Sequence, residues 1–340
     1  MYSFKNDYSE GAHERILEAM MDTNRIQTVG YGMDEYCASA REKIKSRIAC
    51  EEADVHFFVG GTQCNTTVIA SILRPYQAVI AAHTGHINVH ETGAIESTGH
   101  KVVAMYSEDG KLTPELVKKA VLEHSSEHMV VPKLVYISDS TEIGTLYTLQ
   151  ELKDLYACCK ELGLYLFMDG ARLGSALCAK GNDIRIEDLP NYTDVFYIGG
   201  TKNGALFGEA LVITREELKE DFRFYIKQRG ALLAKGRLLG IQFEELFKDD
   251  LFFELAEHAN EMSLKLRDAV IEAGYTFLAE SYTNQQFVIL PDAVIKKLED
   301  NFLFEEQHRV DETHTCIRLC TSWATTLESV EAFREALVNA

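Results

Sequence analysis

The chain has 340 residues, of which 46% are hydrophobic and 26% are charged, so it is long enough to bury a large core. We expect one large domain together with a smaller one. Its 34 basic and 53 acidic residues give a formal charge of −19, which makes nucleic acid and anionic membrane surfaces poor partners.

The N-terminal residues lack the basic head and apolar stretch of a signal peptide, and no apolar run reaches membrane-spanning length. A cytoplasmic location is therefore the default expectation. The eight cysteines are irregularly spaced and form no C-x-x-C pair, so we predict that they are reduced thiols.

Between about residues 50 and 215, short apolar runs alternate with amphipathic stretches of helical length. This alternation predicts an α/β fold with a mostly parallel sheet. The clearest unit is a capping box from Thr148 to Glu151, which opens a helix that Gly163 ends. A buried strand is predicted directly after it, over residues 164–168.

Polar clusters follow the predicted strands. Ligands bind beyond the carboxyl ends of strands in open α/β sheets, so we expect these clusters to converge in one crevice. The strands are predicted at 55–59, 78–82, 133–138, 164–168 and 195–198, and the clusters that follow them are GGTQCN (60–65), HTGH (83–86), DSTE (139–142), DGAR (169–172) and GGTK (199–202).

Beyond about residue 215 the pattern changes to long helical segments, including residues 251–273, and then a short strand over 286–290. This predicts a smaller α+β domain. We place the large domain with its N-terminal arm at residues 1–245 and the small domain at 246–340. No low-complexity linker separates them, so we expect the two parts to pack tightly around a long helix.

Asp169 and Lys202 each follow a buried strand and have small neighbours, a pairing that suits pyridoxal phosphate. This cofactor needs a lysine amine for its Schiff base and a carboxylate against its ring nitrogen. Gly60, Gly61 and Thr62 precede a helix, where backbone N–H groups can bind a phosphate.

Each of these features also has an ordinary structural explanation. Lys202 could be a solvated surface lysine, and Asp169 could cap the following helix. His83 and His86 could be loop histidines with local partners, and no metal ligand set is recognisable. The order and placement of all five clusters together favour the cofactor site.

With these motifs the sequence resembles the low-specificity L-threonine aldolases, within the fold type I pyridoxal phosphate enzymes that are similar to aspartate aminotransferase. The resemblance covers essentially the whole chain. It depends on Asn6-Asp7-Tyr8-Ser9-Glu10-Gly11, Gly30-Tyr31-Gly32, Gly61-Thr62-x-x-Asn65, His86 with Glu91 and Gly93-Ala94, Asp169-Gly170-Ala171-Arg172, Thr201-Lys202 and Ile317-Arg318-Leu319.

The resemblance implies the roles of particular residues. Lys202 would hold the cofactor covalently, Asp169 would pair with its ring nitrogen, and His86 would stack on the ring and assist proton transfer at the substrate hydroxyl. The implied cofactor-binding residues are Gly61, Thr62, His86, Thr141, Asp169, Arg172, Thr201 and Lys202. The implied substrate-binding residues are Asn6, Arg172 and Arg318, with the two arginines on the α-carboxylate.

The sequence also departs from the pattern of better-known members. Thr201 and Asn6 stand where serine is usual, and Ser140-Thr141-Glu142 replaces Asn-Thr-His. The segment that other members lend to a neighbouring subunit's phosphate differs most. Here it offers Arg229, Lys235 and Arg237, among which the sequence does not choose.

The expected reaction is the cleavage of threonine or allo-threonine to glycine and acetaldehyde, in a homodimer or a dimer of dimers. β-Elimination from another amino acid on the same cofactor is one alternative. A protein without catalysis on an inherited enzyme scaffold is another. Nicotinamide binding is excluded because no G-x-G-x-x-G is present.

Overall fold

The computed structural model describes all 340 residues of the chain. The strands are β1 (Tyr2–Ser3), β2 (Asp54–Phe58), β3 (Gln77–Ala82), β4 (Lys101–Met105), β5 (Val131–Ser138), β6 (Tyr165–Asp169), β7 (Val195–Gly199), β8 (Glu209–Ile213), β9 (Thr276–Phe277), β10 (Gln285–Pro291), β11 (Phe302–Leu303), β12 (Glu305–Arg309) and β13 (His314–Cys320).

The helices include a long one near the junction with the C-terminal part and shorter ones around the main sheet. They are α1 (Glu14–Thr23), α2 (Glu35–Arg47), α3 (Gly61–Ile72), α4 (His86–Val89), α5 (Pro114–Glu123), α6 (Leu149–Glu161), α7 (Leu173–Leu177), α8 (Leu189–Tyr192), α9 (Phe222–Gln228), α10 (Arg237–Leu246), α11 (Leu251–Glu272), α12 (Asp292–Leu298) and α13 (Leu327–Val338).

The main sheet has seven strands in the order β2-β8-β7-β6-β5-β3-β4. β8 is antiparallel to both of its neighbours, and every other neighbouring pair is parallel. The predicted α/β fold with a mostly parallel sheet is therefore confirmed. All five predicted strands of this region are present with closely matching bounds, whereas β4 and β8 were not predicted.

Local sequence explains where these elements begin. At the start of α6 the Thr148 hydroxyl accepts the Glu151 N–H at 3.2 Å, and the Glu151 carboxylate accepts the Thr148 N–H at 2.8 Å. This is the predicted capping box, which satisfies donors that a helix start leaves free. The next strand begins at Tyr165, after Gly163 with its positive φ of 65°.

Side chains of the central strands alternate between two apolar layers, one on each face of the sheet. In β5, Leu134 and Tyr136 pack in one cluster, and Val135 and Ile137 pack in the other. Successive side chains of a strand point to opposite faces, so a strand buried on both sides is apolar throughout. This double burial explains the continuous apolar runs from which the strands were predicted.

A separate layer lies at the C-terminal end, where β12-β13-β10-β9 form a four-stranded sheet. The first half of α11 packs on the main core through Phe252, and its second half packs on the C-terminal core through Leu266. β1 pairs with β11, and Phe4 is buried in the C-terminal core. The domain boundary between residues 245 and 246 stays a prediction, but the first strand packs with the C-terminal layer rather than with the main sheet.

The direction of the strands fixes where polar loops meet. β2, β3, β5, β6 and β7 all run the same way, so the loops that follow them emerge at one edge of the sheet. β8 runs the opposite way and therefore begins at that edge with Glu209. No helix of the chain combines the length and the apolar character that crossing a membrane requires.

Candidate active site

A cavity of about 540 Å³ opens at this edge of the sheet and is bounded on one side by the C-terminal layer. It brings together all the predicted site residues except Asn6 and Thr141. The predicted residues that line it are Gly61, Thr62, His86, Asp169, Arg172, Thr201, Lys202 and Arg318, and further lining residues include Tyr8, Gly60, His90, Glu142, Tyr197, Glu209 and Glu305.

Lys202 lies in the loop after β7 and is the one lysine that lines the cavity. Burial and the nearby charge of Arg172 lower the pKa of its amine. Thr201, beside it, donates its hydroxyl hydrogen to Glu209 at 3.2 Å and accepts the Gly208 N–H at 2.8 Å. A lysine in such surroundings gives up its proton more readily than a surface lysine, and only the neutral amine is a nucleophile.

Asp169 ends β6, where it is buried and held by hydrogen bonds from three directions. One carboxylate oxygen accepts the Ala171 N–H at 3.0 Å. The other accepts the Tyr136 hydroxyl and, at 3.4 Å, the side-chain amide of Asn65. The helix that follows begins at Leu173, so Asp169 does not cap it, and the structural alternative for this residue is excluded.

His86 is connected to Asp169 through two buried side chains that the sequence motif contained but to which no role was given. Its Nδ1 lies 2.8 Å from Glu91 Oε1, and that same oxygen accepts the Asn65 amide at 2.7 Å. Asn65 Nδ2 then lies 3.4 Å from Asp169. We call His86, Glu91, Asn65 and Asp169 the histidine network.

The network determines which histidine nitrogen is free. Because Glu91 accepts at Nδ1, that nitrogen carries the proton, and Nε2 remains the acceptor of a neutral ring. Burial alone would lower the pKa of His86, but the hydrogen bond that it donates to Glu91 and the charges of Asp169 and Glu91 raise it above the ordinary value. His86 therefore loses its proton, and becomes able to act as a base, at a somewhat higher pH than a free histidine does.

The N-terminus of α3 forms another part of the cavity. The first helical hydrogen bond runs from the Cys64 N–H to the Gly60 carbonyl at 3.1 Å, so the N–H groups of Gly61, Thr62 and Gln63 have no helical partner. A Cβ on Gly60 would have no atom within 4 Å, which shows open space in front of the helix. Free N–H groups beside open space can hold an anion.

None of the three basic residues that were left open as phosphate ligands lines the cavity of this chain. Arg237 donates to the carbonyls of Ile26 at 2.6 Å and Thr23 at 2.9 Å, so its guanidinium serves to hold that loop. Lys235 is exposed, and the side chain of Arg229 is half-buried with an unpartnered Nε.

Arg172 pairs with Asp7 through two hydrogen bonds, from Nε at 2.7 Å and from Nη2 at 3.0 Å. Burial alone would raise the pKa of Asp7, but the charges of Arg172 and Lys202 lower it to about 2, so Asp7 is a carboxylate. Nη1 of Arg172 makes no hydrogen bond within the chain. Arg172 therefore keeps the N–H donors of Nη1 for a ligand while Asp7 fixes its orientation.

Arg318 reaches the cavity from β13 of the C-terminal sheet. Its Nη2 donates to Glu305 and, at 3.2 Å, to the Lys5 carbonyl, while its buried Nε has no partner. The side chain is therefore anchored at one end and keeps hydrogen-bonding capacity. This agrees with the predicted placement near the substrate but does not assign the role.

The structure does not bring Asn6 or Thr141 into the cavity. The Asn6 side chain accepts the Tyr8 N–H at 3.1 Å and the Ser9 hydroxyl at 2.9 Å, so it stabilises a local turn. The Thr141 hydroxyl is bonded to Thr145 Oγ1 at 2.6 Å in a buried turn. The predicted ligand roles of these two residues therefore find no support in the geometry.

The residues next to Asn6 and Thr141 in the sequence, Asp7 and Glu142, are the ones that contact the site. Asp7 orients Arg172, and Glu142 lines the cavity and accepts the His86 N–H at 2.8 Å. A motif gives the position along the chain but not the direction in which each side chain points. A shift by one residue is thus the expected kind of error in a turn.

The lining fits pyridoxal phosphate on three observations of this structure. A half-buried lysine without an ion pair lies in the same cavity as a carboxylate whose orientation is fixed by Tyr136 and Asn65. The unpartnered N–H groups of α3 adjoin open space at the cavity wall. Aldehyde, ring nitrogen and phosphate would each find a group of suitable chemistry.

Comparisons with known proteins agree with this assignment. The sequence matches the family of beta-eliminating lyases over residues 7–293. It is 33% identical over 298 residues to a low specificity L-threonine aldolase from Pseudomonas aeruginosa, covering 87% of this chain and 86% of that one. A Saccharomyces cerevisiae protein of the same name is 25% identical over 295 residues, covering 83% and 74% of the two chains.

Solved structures with the same fold give a second comparison. A threonine aldolase from Leishmania major is 50% identical and superposes with a TM-score of 0.99, covering 100% of this chain and 99% of that one. An aspartate aminotransferase from Thermus thermophilus is 17% identical with a TM-score of 0.73, covering 100% and 91%, and supports the fold alone.

Proposed function

The chain belongs to the beta-eliminating lyase family and, within it, to the low-specificity L-threonine aldolases, and on this premise we propose that it cleaves L-threonine and L-allo-threonine to glycine and acetaldehyde with pyridoxal phosphate. The observation that carries the proposal is the meeting of Lys202, Asp169 and His86 in one cavity. The sequence similarity to threonine aldolases supports the choice of reaction.

When bound, pyridoxal phosphate accepts the electron pair that the breaking Cα–Cβ bond leaves on the substrate. Lys202 would hold the cofactor covalently, and the N–H groups of Gly61 and Thr62 would bind its phosphate. Asp169 would keep a proton on the ring nitrogen, because a buried carboxylate with fixed orientation stabilises a positive charge beside it.

The two arginines would bind the substrate's α-carboxylate. Arg172 has Nη1 free and is held in place by Asp7, whereas Arg318 is held by Glu305. A carboxylate bound from two sides keeps the substrate from rotating, and fixed orientation decides which bond at Cα is broken.

His86 would take the proton from the β-hydroxyl at Nε2, directly or through a water molecule. Glu91 holds the ring through Nδ1, which keeps Nε2 unprotonated and facing away from the network. Loss of that hydroxyl proton drives the bond cleavage that releases the aldehyde.

Replacing Glu91 by Gln should move the acid limb of the pH profile of kcat/KM to lower pH. The base must be unprotonated to work, and the charge of Glu91 raises the pKa of His86, so neutralising it lowers the pH at which His86 loses its proton. Steady-state rates measured between about pH 5 and 9 would show the shift. An acid limb unchanged in Glu91→Gln, with His86→Asn still showing it, would contradict the role of His86.

Replacing Arg318 by Met should raise KM for threonine roughly 10- to 100-fold and change kcat much less, because a charged hydrogen bond to the carboxylate is lost. The matched control is Arg309→Met in the neighbouring strand β12, whose side chain is exposed and pairs with Asp292 at 2.8 Å. Initial rates over a wide range of threonine concentrations separate the two constants. Equal KM values in both variants would remove Arg318 from the substrate site.

The reaction itself is tested by identifying the products from threonine. Aldol cleavage gives glycine and acetaldehyde in equal amounts, whereas β-elimination gives ammonia and an α-keto acid. The family name keeps elimination as the second candidate. We expect glycine and acetaldehyde in a one-to-one ratio, and ammonia as the main product would favour the second candidate.

The subunit arrangement that we propose is a homodimer or a dimer of dimers. The segment around α1 and its following loop exposes large apolar side chains, which single chains rarely leave uncovered in one region. These side chains are Met21, Ile26, Val29, Tyr31 and Met33. Light scattering on the purified protein should give a molar mass of at least twice 38.3 kDa. The cytoplasmic location stays a prediction.

A further inference from the structure

Glu209 is an acidic side chain at the place where the cofactor phosphate is expected. It is the first residue of β8 and lies opposite Phe58 in β2 and opposite Gly199 in β7. The chain continues from Phe58 into the N-terminus of α3 and from Gly199 to Lys202. Glu209 therefore lies between the two parts of the chain that would hold the phosphate and the aldehyde.

The two oxygens of Glu209 have different surroundings. Oε1 accepts the Thr201 hydroxyl at 3.2 Å, whereas Oε2 is buried and has no hydrogen-bond partner. The residue lines the cavity together with Gly61 and Thr62. A buried polar atom without a partner is costly, and one that belongs to a residue lining a cavity can be satisfied by a ligand bound there.

The charges that face Glu209 come from several elements. Lys202 lies in the loop after β7, and Asp169 ends β6. Cys64 of α3 and Tyr197 of β7 lie close enough for the charge of Glu209 to raise their pKa values. Burial raises the pKa of Glu209 itself, and only Lys202 supplies a positive side chain to oppose this.

A phosphate dianion beside an ionised Glu209 would be repelled, and Lys202 is the positive side chain that acts on Glu209 to offset the repulsion. Once Lys202 is bonded to the cofactor, its amine is no longer a free charged group that can balance the charge of Glu209. Both effects favour the uncharged acid, which has the one donor that a phosphate oxygen needs.

We propose that Glu209 binds the cofactor phosphate as a neutral carboxylic acid, with its Oε2 hydroxyl as donor, so that in alkaline solution cofactor binding takes up one proton at this residue. The proposal depends on the proposed function, because it requires pyridoxal phosphate in this cavity. It adds a ligand for the phosphate and a pH dependence of affinity that is specific to the phosphate group.

The test is a titration of cofactor-free protein with pyridoxal phosphate and with pyridoxal, which lacks the phosphate. Wild type, Glu209→Gln and a control, Glu306→Gln at an exposed position of β12, are compared between about pH 6 and 9. The glutamine amide is a donor that needs no proton. Lys202 contributes to the pH dependence for both ligands, so the difference between the ligands reports on the phosphate.

For each ligand, the quantity compared is the wild-type Kd divided by the Kd of Glu209→Gln at the same pH. Between about pH 6 and 9 we expect this ratio to rise about tenfold more for pyridoxal phosphate than for pyridoxal, since one proton gives up to tenfold per pH unit. Glu306→Gln should follow wild type. Equal changes for both ligands would mean that Glu209 acts on Lys202 alone and would overturn the proposal, as would no change for either.

A second measurement needs no variant. Calorimetric titration of the wild type near pH 9 in buffers with different ionisation enthalpies gives the protons taken up, and pyridoxal phosphate should take up about one more than pyridoxal. Equal uptake would overturn the proposal while leaving the aldolase function intact. A wild type that binds neither ligand would instead contradict the proposed function, and this proposal with it.

Discussion

Replacing Lys202 by Ala should reduce threonine cleavage by a factor on the order of 10⁴ or more, because the cofactor loses its covalent attachment and the cavity loses its only lysine amine. The effect is large because no neighbouring group can substitute. The other cations of the cavity are Arg172 and Arg318, and guanidinium groups do not lose their proton to become nucleophiles. Acetaldehyde release, coupled to an alcohol dehydrogenase, measures the loss.

The control for this variant is Lys296→Ala on α12, an exposed lysine of the C-terminal layer. It should keep wild-type activity. If Lys202→Ala retained more than a few per cent of wild-type turnover with intact fold by circular dichroism, the amine that attaches the cofactor would have to be another one, and the site described above would be wrong.

Replacing Asp169 by Asn should lower kcat roughly 10²- to 10³-fold while cofactor binding is kept. The amide occupies the same space and still accepts the Tyr136 hydroxyl, but it has no negative charge to hold a proton on the ring nitrogen. The charge matters most when an electron pair develops on the substrate. The loss should therefore fall on kcat rather than on cofactor affinity.

Tyr136→Phe is the matched control for Asp169→Asn, because it removes the hydrogen bond and keeps the carboxylate. We expect a smaller loss of kcat, about tenfold. If Asp169→Asn turned threonine over at the wild-type rate, the carboxylate would not be needed for the electron-accepting step. A loss in Tyr136→Phe equal to that in Asp169→Asn would show that orientation rather than charge is decisive.

The main strands and the cofactor cluster could be predicted from sequence because each depends on local signals. Strands buried on both faces are apolar throughout, and β6 ends in the polar residue Asp169 that marks the edge of the sheet. The capping box at Thr148 fixes the start of α6 by contacts within one turn. Such features need only neighbours along the chain.

The unpredicted parts depend on contacts between distant residues. Tyr136 lies within a buried strand and looks like any core aromatic, so its bond to Asp169 could be found only from the pairing of β5 with β6. Glu209 begins β8, an antiparallel strand that the alternating pattern did not indicate. Asp7 reaches Arg172 across 165 positions of sequence.

Glu91 and Asn65 are a different case, because both belong to motifs of the sequence. Their role emerges only when α3 and the turn after α4 place them side by side, with Asn65 donating to Glu91 at 2.7 Å. A buried acid five residues after a cavity histidine is the signal that could have suggested the contact, since a short helix and turn bring these positions together.

Borohydride reduction followed by peptide mass spectrometry tests whether Lys202 holds the cofactor in this cavity. Reduction makes the link between a lysine and pyridoxal phosphate permanent. With purified protein supplied with pyridoxal phosphate, we predict one label per chain, on the peptide that contains Lys202. A label on any other lysine, or no label after reduction, would show that Lys202 does not hold the cofactor.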